Sequence, residues 1–261
     1  MSRIVVIPVY EPEECLEELA EQVMDISDEL IYDHSMELEH AEYFAVDYYQ
    51  NGYALLTIGT DGQYLVVPEG MDVPEDLSGE ITVLQQPLTN IYLVASAVMD
   101  MFVSLDALDQ IRFSALEADG WYIDEARQKM EAGDIIYAGK YSAPDYERIL
   151  SEGCGLAIEN TMIYHNPEVK EQLENFNNPV FVDYSSYESD PAGRVEWVKL
   201  YGVLIGQEQK AEEIYNAQAE LFEESGTADA TGKTVAFFYI TSSFDVNKMK
   251  GSVIHPTLQL C

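Results

Sequence analysis

DPAGRVEWVKLYGVLIGQEQKAEEIYNAQAELFEE, residues 190–224, is the stretch from which the fold is inferred. Asp190 is a candidate N-cap, and Pro191 stands at the first helical position, where its missing N–H costs nothing. Gly206 costs about 1 kcal/mol relative to alanine inside a helix, so we expect a kink or a brief stop there. The apolar residues at helical spacing are Val195, Val198, Tyr201, Val203, Ile205, Ala211, Ile214, Tyr215, Leu221 and Phe222.

Two architectures fit this helical stretch. A continuous helix of this length would reach roughly 50 Å, more than the width of one small domain. Because strand-like segments lie on both sides of it, the helix is interpreted as a strut between two lobes. The alternative is an ordinary helix pair packed on a sheet, and the periodicity does not separate the two.

The charge of the chain limits the partners it can bind. Its 48 acidic residues against 13 Lys plus Arg give a net charge of −35, which repels nucleic acid and anionic membranes and attracts cationic ligands. With 47% hydrophobic residues, the chain of 261 residues can bury a core. Its 3 cysteines show no paired spacing, and no apolar run is long enough to span a membrane. The first residues lack the pattern of an export signal.

Upstream of the helical stretch, a period of two predicts a three-stranded meander. The dipeptides Asn51-Gly52 and Asp61-Gly62 between the alternating runs are strong hairpin signals. The three predicted strands are residues 43–49 (YFAVDYY), 53–58 (YALLTI) and 63–67 (QYLVV).

From residue 81 onward, predicted strands and helices alternate along the chain. Such alternation implies a mostly parallel sheet with helices on both faces. The predicted strands are residues 81–84, 112–115, 135–138, 155–159 and 179–183, and the predicted helices are residues 88–108, 122–132, 144–151 and 167–176.

The predicted fold class is therefore α/β. It comprises an N-terminal lobe with a mostly parallel, helix-flanked sheet and a leading β-meander, a long interlobe helix and an incomplete second lobe that begins with a strand at residues 233–240. The proposed divisions are residues 1–36 (a strand at 3–9 and an acidic helix at 11–30), 37–189 (the N-terminal lobe), 190–225 (the interlobe helix) and 226–261 (the start of the C-terminal lobe).

Candidate binding residues follow from the position of the strand ends. In parallel α/β sheets, ligands bind beyond the carboxyl ends of the strands. The side chains predicted at those ends are Gln86, Trp121, Tyr122, Lys140, Tyr141, Glu159, Tyr184 and Tyr187.

No catalytic or metal constellation is predicted. His34 and His40 flank the acidic segment MELE, and their interpretation as surface residues is favoured over a metal site. His165 stands in a turn without a nucleophile nearby, and no nucleophile elbow, zinc-protease motif or paired cysteine motif occurs. Nothing in these patterns points to catalysis.

Three motifs in order give the chain a family resemblance. They are AGKYSAPDYERILSEGCGLAIE (residues 138–159), KLYGVLIGQEQKAEEIY (199–215) and GKTVAFFYI (232–240). Together, residues 81–238 resemble the N-terminal lobe and interlobe helix of the substrate-binding proteins that feed siderophore, haem and cobalamin ABC importers. The meander is similar to the leading hairpin of some members.

The resemblance implies a non-catalytic binding component that takes a ferric siderophore, haem or cobalamin-type chelate and delivers it to an ABC permease with its ATPase. Glu147 matches the glutamate that docks on a permease arginine, a contact suited to charge-assisted pairing. Loops facing the implied cleft carry Tyr122, Lys140, Tyr141, Tyr164 and Tyr187. The implied location is extracellular or periplasmic and membrane-associated.

Alternatives stay open at this point. The second lobe of the family supplies the other wall of the cleft, and the sequence given contains one strand of it, so we expect weak or absent chelate binding by a monomer. An unpaired strand at residues 234–240 would be an exposed edge or would pair between chains in a strand-swapped homodimer. The alternative function is an interaction module that kept the fold and lost transport. The ligand is not identified by the sequence, because binding loops vary on a common scaffold.

Overall fold

The structure, a computed structural model, describes residues 26–59, 61–77, 79–226, 238–240 and 246–248. The strand expected at residues 3–9 and most of the expected acidic helix lie outside the described residues. Residues 26–30 form a turn, so the helix expected to continue to residue 30 is wrong over these positions. The physical reason is an anchor to Asp76, whose carboxylate accepts the hydroxyl of Ser27 and, at 2.7 Å, the N–H of Asp28.

The first sheet confirms the three-stranded meander and extends it at both edges. Asn51 and Gly52 adopt positive φ angles of 67° and 85°, as a tight hairpin turn requires. The outer strand β1 is fully exposed and antiparallel to β2, so this sheet crosses the expected boundary at residue 36. In spatial order, the strands are β1 (Tyr32–Ser35), β2 (Phe44–Tyr49), β3 (Ala54–Ile58), β4 (Gly62–Val67) and β5 (Ile81–Gln85).

The placement of β5 corrects the sequence interpretation. Residues 81–84 do form a strand, but it pairs in parallel with β4 rather than opening the parallel sheet. Strand periodicity identifies a strand without identifying its neighbour, and the loop at residues 68–80 is long enough to return the chain for parallel pairing. The residues after β5 therefore lie on the first sheet.

The second sheet is wholly parallel, as predicted, with the spatial order β12-β11-β6-β7-β8. Its strands are β6 (Ile91–Leu93), β7 (Ile111–Ser114), β8 (Ile136–Tyr137), β11 (Ala157–Asn160) and β12 (Val180–Asp183). A small ladder joins β9 (Gly139–Lys140) and β10 (Ala143–Pro144). The flanking helices are α1 (Val98–Ser104), α2 (Asp124–Ala132), α3 (Tyr146–Ser151) and α4 (Pro167–Asn175).

The single helix expected over residues 88–108 is wrong. The segment begins with the buried strand β6 and continues with the short helix α1. A short apolar run fits a fully buried strand as well as a helix, so its periodicity does not decide between them. Asn90, at a φ of 53°, makes the turn that starts the strand.

The helical stretch at residues 190–224 folds as a helix pair. Helix α5 (Pro191–Ile205) begins with Asp190, whose carboxylate accepts the Ala192 N–H at 2.8 Å, and ends at Gly206 in the left-handed conformation (φ 70°). Helix α6 (Glu208–Gly226) then packs back on α5, placing the Lys199 ammonium 3.3 Å from Glu212. The expected cap and stop are confirmed, whereas the continuous 35-residue strut is wrong.

Helix α5 is a core helix that joins the two sheets. Trp197 packs edge-on against Phe44 of the first sheet, with ring centroids 5.0 Å apart. Tyr201 packs against Phe181 of the second sheet at 6.2 Å, and both α5 side chains are fully buried. A helix that is buried nearly all round belongs inside a lobe rather than between lobes. Helix α5 therefore lies in the core between the two sheets, and the interlobe role of residues 190–225 stays a prediction.

Near the end of the chain, β13 (Phe238–Ile240) pairs with β14 (Val246–Lys248) in an antiparallel ladder. The strand expected at residues 233–240 is confirmed over its last residues, and residues 233–237 lie outside the described residues. Its described part has a partner within the chain, so the expectation of an unpaired strand is wrong there. The strand-swapped homodimer stays a prediction.

Candidate functional site

Two short turns follow neighbouring strands at the carboxyl edge of the parallel sheet. After β11, the Asn160 side chain accepts the Met162 N–H at 2.9 Å and starts the turn Thr161–His165. After β12, the Asp183 carboxylate accepts the N–H and hydroxyl of Ser185 at 3.2 and 2.7 Å and starts the turn Ser185–Tyr187. Local side-chain caps of this kind fix the direction of both turns.

These turns bring together a tyrosine cluster, which we define as Tyr43, Tyr164, Tyr184 and Tyr187. The Tyr184 hydroxyl donates to the Tyr164 hydroxyl at 3.2 Å, and the Tyr187 ring lies 5.9 Å from the Tyr184 ring. Thr161 donates its hydroxyl to that of Tyr187 at 3.0 Å. Tyr43, from the chain entering β2, stacks on Tyr184 with a centroid distance of 6.0 Å and an interplanar angle of 7°.

The cluster offers both aromatic faces and hydroxyl groups to a ligand. Tyr164 and Tyr187 are 41% and 56% exposed, while Tyr43 and Tyr184 are half-buried. Exposed rings of this kind stack on flat ligands, and phenol hydroxyls both donate and accept hydrogen bonds. The arrangement is suited to binding an aromatic or oxygen-rich ligand and contains no nucleophile–base pair.

The surroundings of Tyr164 and Tyr184 raise the pKa values of their phenols. Burial, followed by the neighbouring Asp61 carboxylate, raises the pKa of Tyr164 above its usual value of 10.0. Burial also raises the pKa of Tyr184, although the hydrogen bond to Tyr164 partly offsets this rise. One carboxylate oxygen of Asp61, Oδ2, is buried without a hydrogen-bond partner in the described structure. Asp61 therefore places a carboxylate beside the cluster, within hydrogen-bonding reach of Tyr164.

Asp183 connects the turn after β12 to the core helix α5. Its side chain is buried, and the Tyr201 hydroxyl of α5 donates to it at 2.7 Å. Burial raises the pKa of Asp183, and the hydrogen bonds from Tyr201 and Ser185 act in the opposite direction. Since Asp183 also starts the turn that carries Tyr184 and Tyr187, the core helix and the site are joined through one carboxylate.

Glu159 lies on β11, where the sequence placed it, but its side chain points into the protein. It is fully buried, and neither carboxylate oxygen has a hydrogen-bond partner in the described structure. Burial raises its pKa from 4.5 to about 8. The phenols of Tyr92 and Tyr146 are close enough for the charge of Glu159 to raise their pKa values as well. At neutral pH this group is mainly a protonated acid inside an apolar layer.

Gln86 and Trp121 occupy structural positions. Gln86 follows β5 on the first sheet, and its amide donates to the carbonyls of Val203 and Leu204 at 2.9 and 3.1 Å, which caps the end of α5. Its expected place at the parallel-sheet edge depended on the wrong neighbour for β5. Trp121 is 5% exposed, and its indole N–H donates to Ser114 at 3.0 Å.

The remaining predicted residues lie near the other strand ends. Tyr122 is 99% exposed just before α2. Lys140 is exposed on β9, and Tyr141 is half-buried against the apolar layer beneath it. Glu147 is exposed in the first turn of α3. The structure thus gathers Tyr164, Tyr184 and Tyr187 by direct contacts, and the ligand roles of all predicted residues remain predictions.

Sequence reasoning missed Tyr43 and Asp61. Both belong to the meander, where Tyr43 fits the strand alternation and Asp61 fits the Asp-Gly turn signal. Their second role depends on how the two sheets face each other, and no local pattern specifies that.

The histidines show no metal site in the described residues. His34 lies 2.9 Å from Asp33 and stacks on Tyr48, and His40 pairs with Asp190 at 3.4 Å. Over the part of the chain that the structure describes, no cluster of His, Cys, Asp and Glu suits a metal ion. Nor is any described helix long and apolar enough to cross a membrane.

Comparison with known proteins places the fold. No family model matches the chain. An uncharacterized lipoprotein of Methanocaldococcus jannaschii is 21% identical over 177 residues, which are 62% of this chain and 41% of that protein. The chain therefore spans less than half the length of that relative.

Solved structures that resemble the chain are periplasmic binding proteins. The haem-binding protein HutB of Vibrio cholerae superposes with a TM-score of 0.50 and 16% identity, covering 60% of this chain and 57% of HutB. The catecholate-siderophore-binding protein VctP of the same organism gives a TM-score of 0.48 and 13% identity, covering 63% of this chain and 56% of VctP. At this identity the likeness to HutB shows the fold, and the expected resemblance to this class of binding proteins is confirmed at the level of the fold. These neighbours are binding proteins rather than enzymes.

Proposed function

We propose that the chain is the substrate-binding component of an ABC importer and that its ligand is a ferric siderophore, haem or cobalamin-type chelate. The observation that carries the proposal is the tyrosine cluster, which lies at the carboxyl edge of a parallel sheet where such folds bind ligands. The likeness of the fold to HutB supports the same class of function.

The chemistry of the cluster narrows the ligand class. Aromatic faces stack on planar rings, and the neutral hydroxyls of Tyr164 and Tyr184 can hydrogen-bond to the oxygens of a chelate. The net charge of −35 disfavours strongly anionic ligands. Among aromatic chelates, we therefore expect those of low or positive net charge to bind best.

Isothermal titration calorimetry of the whole chain tests the proposal. The ligands are haemin, a ferric tricatecholate, aquocobalamin and, as a chelate without aromatic rings, ferrioxamine. We expect saturable binding of at least one aromatic chelate. Tyr164→Phe and Tyr184→Phe should each weaken it, because a hydrogen bond contributes about 0.5–1.5 kcal/mol, or roughly 2- to 10-fold in affinity.

Tyr32→Phe is the matched control, because Tyr32 is 37% exposed, close to the 41% of Tyr164, and lies on the outer strand of the first sheet. Its affinity should equal that of the wild-type chain. Absence of saturable binding for every chelate would contradict transport of such ligands and favour an interaction module on the same fold. Equal losses in Tyr32→Phe and Tyr164→Phe would place the site elsewhere.

The importer role also assigns a partner and a location. Glu147 is proposed to dock on an arginine of the permease, since it is an exposed carboxylate in the first turn of α3. The proposed location is outside the cytoplasmic membrane. Support comes from the periplasmic binding proteins with similar folds and from the lipoprotein relative.

A further inference from the structure

A fully buried glutamate holds the backbone of Tyr43. The Glu188 carboxylate accepts the N–H of Glu42 at 3.0 Å and the N–H of Tyr43 at 3.1 Å. It also accepts the indole N–H of Trp197 at 2.8 Å. Because a buried carboxylate without such donors would be costly, these bonds fix the segment tightly to the start of α5.

A second buried glutamate fixes the residues just before. The Glu196 carboxylate accepts the N–H groups of Glu39, His40 and Ala41 at 2.9, 2.8 and 2.8 Å. Gly193 permits this approach, since a Cβ atom there would lie 2.8 Å from the His40 carbonyl oxygen. The consecutive backbone N–H groups of residues 39–43 thus all donate to the carboxylates of Glu196 and Glu188.

These hydrogen bonds also fix the position of Tyr43 in the tyrosine cluster. Tyr43 is the last residue held, and its ring lies parallel to that of Tyr184, which follows β12 on the other sheet. In a loop without such hydrogen bonds, the Tyr43 side chain could adopt several rotamers and its backbone several positions. Here the backbone is held by hydrogen bonds to a residue, Glu188, that lies one residue after the turn carrying Tyr187.

We propose that Tyr43 is a ligand-contacting residue of the tyrosine cluster and that Glu188 is the residue that positions it, so that the first sheet supplies part of the binding surface. This inference rests on the proposed function, because it names a further contact at the same site. The leading meander then takes part in ligand recognition.

A double-mutant cycle tests the inference with the chelate that the wild-type chain binds. Tyr43→Ala removes the ring, and we expect affinity to fall about 2- to 10-fold, the range for an aromatic contact of about 0.5–1.5 kcal/mol. Glu188→Gln keeps the shape of the side chain and removes its charge. It should weaken binding in the wild-type background and have no further effect in the Tyr43→Ala background, because it acts through Tyr43.

A ligand-free measurement accompanies the titrations. In protein labelled at the tyrosine rings, Tyr43→Ala should shift the NMR signal of Tyr184 by removing the stacked ring, and Glu188→Gln should shift the same signal in the same direction. Tyr48→Ala is the matched control, since Tyr48 is also half-buried on the meander and stacks on His34 instead. It should leave both the chelate affinity and the Tyr184 signal unchanged.

The outcomes separate this inference from the proposed function. Wild-type binding that Tyr43→Ala leaves intact overturns the inference and leaves the proposed function standing. Additive effects of Tyr43→Ala and Glu188→Gln show that Glu188 acts on the whole fold rather than through Tyr43, which overturns the positioning role. No chelate binding by the wild-type chain overturns the proposed function and the inference together.

Discussion

Glu159 shows at the residue scale how a strand end can be misread. The residue lies on β11 at the expected edge, yet its side chain is fully buried, close to the phenols of Tyr92 and Tyr146. A lone carboxyl in such a buried position is stable only in its protonated form, which is why its pKa rises to about 8. Because both faces of the parallel sheet are covered, a side chain within β11 is buried whichever face it points to.

The raised pKa of Glu159 predicts that the chain loses stability as pH rises from 4.5 to about 8. Between pH 4.5 and about pH 8, the folded state keeps a proton that the unfolded state has released. The free energy of unfolding therefore decreases as pH rises, by up to about 1.4 kcal/mol per pH unit. Glu159→Gln keeps the size of the side chain and removes the titration, so its stability relative to the wild-type chain should rise steadily from pH 5 to pH 8.

Urea unfolding at a series of pH values measures this difference. Glu147→Gln, on the exposed first turn of α3, is the control and should stay within about 0.5 kcal/mol of the wild-type chain throughout. A difference between Glu159→Gln and the wild-type chain that does not change with pH would show that Glu159 is ionised in the folded state.

At the scale of elements, the helix pair α5–α6 depends on a buried ion pair. Lys199 is 5% exposed, and its ammonium lies 3.3 Å from the buried carboxylate of Glu196. It lies equally close to the carboxylate of Glu212, a half-exposed residue of α6. Its ammonium also lies 4.1 Å from the centre of the Tyr215 ring. Lys199 therefore neutralises the buried carboxylate of Glu196 and holds α6 against α5.

Removing this lysine should destabilise the chain strongly. Lys199→Met keeps the length of the side chain but leaves Glu196 without its counter-charge, and the expected loss is about 3–5 kcal/mol in the free energy of unfolding. Lys210→Met is the control, because Lys210 pairs with the exposed Asp106 on the surface and should lose less than about 1 kcal/mol. Equal losses in thermal or denaturant unfolding would contradict a buried role for Lys199.

The elements that could be predicted from the sequence have local causes. The Asn51-Gly52 hairpin, the Asp190 cap and the stop at Gly206 depend on neighbouring residues, and the structure confirms all three. Strand β6 and the pairing of β5 depend on contacts between distant segments. Local patterns do not specify these contacts, so both were assigned wrongly.

The same distinction applies to the site at the scale of the whole molecule. Tyr184 and Tyr187 were predicted from the rule that ligands bind beyond strand ends, and Tyr164 from the family resemblance. Tyr43 comes from a different sheet and reaches the cluster only because Glu188 binds its backbone. The long-range packing of the two sheets is fixed by the core around α5, and helical periodicity alone did not separate a strut from a helix pair packed on a sheet.

The proposed docking role of Glu147 belongs to the whole molecule, because it separates chelate binding from delivery. Glu147→Ala should leave chelate affinity unchanged and reduce uptake of radiolabelled ferric chelate by cells of the source organism that carry the variant. Glu125→Ala is the control, because Glu125 is also exposed in the first turn of a helix. Normal uptake with Glu147→Ala would remove this residue from the permease contact.

The central claim is that the tyrosine cluster binds the chelate, and NMR of the tyrosine rings tests it most directly. The chain has 18 tyrosines, and paramagnetic iron(III) in a bound chelate broadens the rings nearest to it, whereas the gallium(III) chelate of the same ligand does not. We expect the rings of Tyr164, Tyr184 and Tyr187 to broaden first, while those of Tyr32 and Tyr53 beside the first sheet stay sharp. Selective broadening of tyrosines elsewhere, with the cluster unchanged, would contradict it.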